Sequence, residues 1–138
     1  MQGERFLNEY AQNYFAMKPE IEVGLELIAA LGAIELKPVE IGDLLYNLIT
    51  RDFKIIDEIL KIAQEEGLLQ RTEKTYLITP GASNLKFEKP KIIKQDERTN
   101  CRLCGKRIST GYYVVLKSHT IGPYGSSCIR KIHLEHLI

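Results

Sequence analysis

Apolar residues recur at helical spacing three times in the first half of the chain, and each recurrence predicts an element. After Pro19, the positions Ile21, Leu25, Ile28 and Ala29/Leu31 form one face of a helix over residues 20–33. Residues 34–39 are briefly β-leaning. Ile41, Leu44, Leu45 and Leu48 then return to helical spacing and predict a second, shorter helix. Asp52 is placed to cap a third helix with Phe53, Ile56, Ile59, Leu60 and Ala63 on its apolar face, which Gly67 closes. Residues 68–81 hold two β-leaning runs around a polar turn at 72–75, a hairpin pattern. Upstream, Phe6, Leu7, Tyr10, Tyr14 and Phe15 predict a further helix that packs on this unit or on a second copy of it.

The pattern changes after residue 85. Residues 86–98 carry Pro90 and alternating charges and predict an exposed, extended linker. A dense run of β-formers after Gly111 predicts a hairpin over residues 108–119. A tight turn over 122–128 follows, with a Ser N-cap, and then a helix running to Ile138 with Cys128 in its first turn. The expected fold class is therefore α+β, divided into residues 1–85, a linker at 86–98, and a module at 99–138.

Three helices, a short strand between the first two and a hairpin after the third follow the order of a winged helix. The runs Glu66-Gly-Leu-Leu-Gln-Arg and Tyr76-Leu-Ile-Thr-Pro-Gly resemble the helix-to-wing passage of many small prokaryotic winged-helix regulators, over about residues 20–82. The resemblance implies a helix-turn-helix whose third helix enters the major groove. The residues of that helix argue otherwise: Asp52, Asp57, Glu58, Glu65 and Glu66 face phosphate with only Lys54 and Lys61 to offset them. Arg51, Arg71 and Lys74 remain for backbone contacts at the start of the helix and the wing tip. A packing or dimer-forming winged helix is the favoured form.

Charge sharpens the division. The chain has a formal net charge of +1, but residues 1–89 hold 10 Lys+Arg against 15 Asp+Glu and residues 90–138 hold 9 against 3. An acidic body thus precedes a basic module. No stretch is long and apolar enough to span a membrane, since Glu35, Lys37 and Glu40 interrupt the best candidate, and the first residues lack the apolar core of a signal peptide. The expected location is cytoplasmic, at the nucleoid if DNA is the partner.

All three cysteines and all three histidines lie in the basic module. Cys101-Arg-Leu-Cys104-Gly is a C-x2-C knuckle that can direct two thiolates at one ion while its backbone N–H groups bond them. Knuckle, hairpin and a helix whose first turn adds Cys128 resemble a treble-clef zinc finger. Residues 121–131 are similar to a Gly-x-Gly-Pro-x-Cys-x-x-Lys segment of small uncharacterised zinc modules. The expected cofactor is one structural Zn2+ held by Cys101, Cys104, Cys128 and His133, with His119 and then His136 as alternatives for the fourth place. A redox pair would open a helix in a thioredoxin-like unit, and a disulfide suits neither three cysteines nor a chain without a secretion signal. Some treble-clef relatives are nucleases, but His119 lacks the polar partners that chemistry needs, and no enzyme activity is expected.

Arg102, Lys106, Arg107, Lys117, Arg130 and Lys131, with Lys91, Lys94 and Arg98, surround the cysteines, and Tyr112, Tyr113 and Tyr124 interleave with them. That combination attracts phosphate and offers rings for stacking. The expected function is nucleic-acid binding, DNA before RNA, as a small transcriptional regulator. The expected nucleic-acid contacts are Arg71, Lys74, Arg102, Lys106, Arg107, Lys117, Arg130 and Lys131. The alternative is an adaptor or accessory factor of a transcription, replication or ribosomal assembly. A protein partner or homodimer would form through the N-terminal unit, and no membrane is involved.

Overall fold

The computed structural model describes residues 18–138, so the helix expected over residues 6–15 lies outside the described residues. Its elements, in chain order, are α1 (Pro19–Ala30), β1 (Glu35–Leu36), α2 (Pro38–Leu48), α3 (Phe53–Glu65), β2 (Leu69–Arg71), β3 (Tyr76–Ile78), β4 (Lys91–Asn100), β5 (Arg107–Val115), β6 (Thr120–Tyr124) and α4 (Ser126–Lys131). The fold is α+β, with helices and two three-stranded antiparallel sheets, ordered β1-β3-β2 and β4-β5-β6.

The first half forms for the reasons its pattern gives. The Asp52 carboxylate accepts from the Lys54 N–H at 2.9 Å, satisfying an orphan donor at the start of α3. Gly67, at φ +79°, ends that helix in the left-handed region, and a Cβ there would lie 2.8 Å from the Ala82 carbonyl oxygen. The hairpin pairs Leu69 with Ile78 and Arg71 with Tyr76, and β1 adds to its other edge.

α1 departs from the expected one-faced helix. Ile21, Val23, Gly24, Leu25, Glu26, Leu27, Ile28 and Ala30 are all buried, which leaves almost no solvent side. It packs against α3 on one side and meets the second half on another. Gly24 makes the first contact possible: a Cβ at that position would sit 2.5 Å from Ile59 Cδ1. On the other side the Glu26 carboxylate accepts from Ser118 Oγ at 2.6 Å and from its N–H at 3.3 Å. The His136 ring Nε2 lies 2.9 Å from the Ala30 carbonyl oxygen, so it must carry the proton it donates to this terminal helix carbonyl.

Several expectations for the second half are corrected. Residues 107–115 form one strand, β5, that hairpins with β6 instead of folding back within 108–119, and Gly125 rather than a serine stands at the N-cap of α4. Most of the expected linker is strand: residues 91–98 belong to β4, which pairs with β5 from Lys91↔Val115 to Asn100↔Arg107, with a register shift between Asp96 and Thr99. No residue of β4 is buried, so no apolar alternation marks it. The helix expected to run to Ile138 stops at Lys131. His133 follows at φ +61°, and residues 135–137 form a single 3-10 turn.

Candidate metal centre and basic surface

The β4–β5 hairpin carries the knuckle at its tip. Its register closes on Asn100↔Arg107, the Cys101 N–H donates to the Lys106 carbonyl, and the Gly105 N–H donates to the Cys101 carbonyl, each at 2.8 Å. Gly105 stands at φ +77°, a backbone conformation that side chains disfavour and that this tight return requires. Strand β6 runs back beside the knuckle, where the Arg102 N–H donates to the Pro123 carbonyl at 2.8 Å. The chain then turns at Gly125 into α4, placing Cys128 in the first turn.

The result is a cluster in which the sulfur atoms of Cys101, Cys104 and Cys128 all lie within 4.8 Å of one another. Thiolates about 2.3 Å from one tetrahedral ion stand ~3.8 Å apart, a separation that lies inside the bound on this cluster. Cys101 and Cys128 are 2% and 1% exposed, whereas Cys104 is open to solvent. Ile129, Ile132 and Leu134 are buried alongside. The Gly125 N–H donates to Cys101 Sγ at 3.4 Å, a bond that favours thiolate. Burial pushes the Cys101 thiol up, but N–H groups of Cys104, Gly125 and Leu103 and the Cys128 thiol outweigh it and bring it down to about 7. Burial, then the neighbouring Cys101 and Cys104 sulfurs, push Cys128 up to about 12. Clustered thiols resist ionising together unless a cation compensates them. The three cysteines can therefore bind a metal ion, and their donor set suits a soft or borderline one.

The expected fourth donor is not among them. No histidine, aspartate or glutamate joins the three sulfurs among the described residues. His133 sits beyond the end of α4, exposed, in a cleft with Glu40 and Asp43 of α2. Early helix termination and a left-handed backbone carry it away from the turn that holds Cys128. His119 is exposed between β5 and β6, beside Arg102 and Asn47, and His136 is engaged with Ala30.

The expected phosphate contacts are all at the surface. Arg102, Lys106, Arg107, Lys117, Arg130 and Lys131 are exposed, as are Lys91, Lys94 and Arg98. Arg130 is partly committed through a 3.0 Å ion pair with Glu135. In the first half Lys74 is exposed, while Arg71 lies over the Tyr76 ring at 4.9 Å and donates to its hydroxyl at 2.9 Å. The rings differ from expectation. Tyr124 is 3% exposed and offers nothing to stack on. Tyr112 and Tyr113 are both half-buried, and Tyr113 donates to the Glu97 carboxylate. Glu97 falls in the expected linker, and the pairing of β4 with β5 brings it to Tyr113.

One aromatic feature lies elsewhere. Phe53, 69% exposed at the start of α3, stacks on Tyr46 of α2 with centroids 5.5 Å apart, and the Arg51 guanidinium lies 5.5 Å from the same Tyr46 ring. Further along, α3 exposes Asp57, Glu58 and Glu65 with Lys54 and Lys61. Glu66 is buried at the helix end and does not join that face.

A family model described as a family of unknown function, DUF5830, matches residues 20–136. The chain belongs to this family. The DUF5830 match spans both halves, from α1 through the cysteine cluster to His136. No curated protein and no solved structure matches the chain. No helix among the described residues is long and apolar enough to cross a membrane.

Proposed function

We propose that this protein is a small nucleic-acid-binding regulator, with a winged helix formed by α1–α3 and the β2–β3 hairpin and a treble-clef-like module stapled by one zinc ion. The carrying observation is the exposure of all nine Lys and Arg residues of the cysteine-bearing half, against three acids that each have a partner: Thr110 for Asp96, Tyr113 for Glu97 and Arg130 for Glu135. Such a surface favours polyanions by releasing their counterions. The zinc reading is supported by three clustered thiols in a half too small to stabilise itself by burial alone. The protein is a binding protein rather than an enzyme on this reading, and DNA is the preferred partner.

The test is binding to a labelled DNA duplex and to a single-stranded RNA across a salt series. Binding should weaken steeply with salt. Replacing Lys106, Arg107, Arg130 and Lys131 with Ala should reduce the log–log salt slope on duplex DNA by up to about 0.9 for each phosphate that the replaced side chain neutralises. Arg130 should contribute least, because Glu135 already screens it. Unchanged binding by the quadruple variant rules this surface out.

The adaptor alternative draws on a different observation. Exposed Phe53, stacked on half-buried Tyr46 beside Val39 and Asp43, is chemistry suited to protein rather than phosphate. A stoichiometric protein partner retained after nuclease treatment and absent with Phe53→Ala would favour that reading.

A further inference from the structure

The chain's strong zinc donors are three cysteines and three histidines, and all six lie within the described residues. The cysteines cluster; the histidines do not join them. His136 is held by the Ala30 carbonyl at the end of α1, His133 lines a cleft with Glu40 and Asp43, and His119 lines another with Arg102 and Asn47. Two of the three sulfurs are buried and the third, Cys104, faces solvent at the hairpin tip. A tetrahedral ion held by these three would thus have its remaining direction on the exposed side.

We propose that Cys101, Cys104 and Cys128 form a three-thiolate metal centre whose fourth position opens to solvent beside Cys104 and is filled by a donor from outside the chain, a small thiolate in preference to water. This rests on the metal-binding reading above. The preference for sulfur follows from the softness of a site that already has three thiolates. Charge permits it: Zn2+ with four thiolates carries −2, and Arg102, Lys106, Arg107, Arg130 and Lys131 flank the three cysteines in sequence, all exposed. The added ligand arrives as R–S⁻ after losing its proton to solvent, and displaces a bound water with no change in oxidation state.

The experiment is zinc-edge X-ray absorption on the full-length protein purified without thiols, repeated after adding 2-mercaptoethanol, with a Co2+-substituted sample followed by visible absorption. The expected shell is three sulfurs and one light donor, changing to four sulfurs on thiol addition. The cobalt bands should shift and saturate at one thiol per metal. The single variants His119→Ala, His133→Ala and His136→Ala should behave alike. A shell with an imidazole that thiol leaves untouched, and that one of those variants removes, overturns the proposal in favour of a closed site. Four sulfurs before thiol addition overturn it in favour of a sulfur shared between copies. Absence of stoichiometric metal removes the zinc reading itself, which separates that failure from this one.

Discussion

The two halves solve the burial problem differently. Eighteen of the buried apolar residues lie between Ile21 and Ile78, and nine lie between Cys101 and Leu134, two of them cysteines. The first half has helices that bury whole faces. The second is a sheet whose outer strand, β4, has no fully buried residue, backed by one short helix. Its charged edge strand resists pairing with other chains but contributes little to a core. Small units of that kind need cross-links, a metal or a neighbour. Here α1 is the neighbour, and the cysteine cluster is a place where a metal could bind.

The largest expected effect breaks the comparison at the cysteines. If the cluster holds a structural metal, apparent binding free energies of about 10 kcal/mol or more convert into folding free energy for the half that carries it. Chelation, or Cys101→Ser, should abolish hydrogen-exchange protection in β4, β5, β6 and α4 while amides of α2 and α3 stay protected. Equal loss in both halves would show one cooperative unit. Unchanged protection would remove the metal as a stabiliser.

The same contrast explains what the sequence disclosed. α2, α3 and the β2–β3 hairpin were legible because their apolar positions, the Asp52 cap and the Gly67 terminator are local signals. The three cysteines were legible because knuckle and helix start are local as well. β4 was not, since Lys91–Asn100 presents no buried face and becomes a strand only through its partner β5. The all-round burial of α1 was equally hidden: one side is covered by α3 and another by residues almost a hundred positions away, such as Ser118. His133 was misplaced because C-x4-H spacing presumes a continuing helix, and this one ends at Lys131.

A sharper probe of the first half is Gly24. Alanine is worth about 1 kcal/mol over glycine in a helix interior, so Gly24→Ala would stabilise an unpacked helix. Against α3 the added methyl meets the Ile59 side chain at 2.5 Å, and overpacking costs about 1–3 kcal/mol. Net destabilisation in urea unfolding is expected. Ile59→Val in the same background should recover part of it, and stabilisation by Gly24→Ala alone would show that the α1–α3 contact yields easily.

A smaller effect, of roughly 1–2 kcal/mol, is expected from Glu66. Its carboxylate is fully buried with neither oxygen in a well-formed hydrogen bond. Burial, then the adjacent Glu65, raises its pKa, and the Asn84 side chain offsets this only in part. A carboxyl raised in the folded state stabilises below its unfolded value, near 4.3, and loses that contribution as pH rises through the folded value. Stability should therefore fall with rising pH above about 4.3 by this group's share. Glu66→Gln should flatten that fall and exceed the parent in stability at pH 8. A Gln variant that is less stable at pH 8 would mean the charged form has a partner.

The smallest effect tests whether the halves differ at all in their independence. Glu26 is a buried acid on α1, and Ser118 reaches it from the β5–β6 turn of the basic half through its hydroxyl and its N–H. Bonds to a charged acceptor contribute about 1.5–3 kcal/mol when buried, but Ser118 is exposed, so its share lies nearer 1 kcal/mol. A double-mutant cycle of Glu26→Gln and Ser118→Ala, read by chemical denaturation of the metal-loaded protein, should give a coupling energy of about 1 kcal/mol. Coupling of that size means that α1 transmits stability from the well-packed half to the thin one. Coupling near zero, with both single variants destabilised, would mean that Glu26 acts within the first half alone. The second half would then rest on its cysteines and on the His136 contact with Ala30.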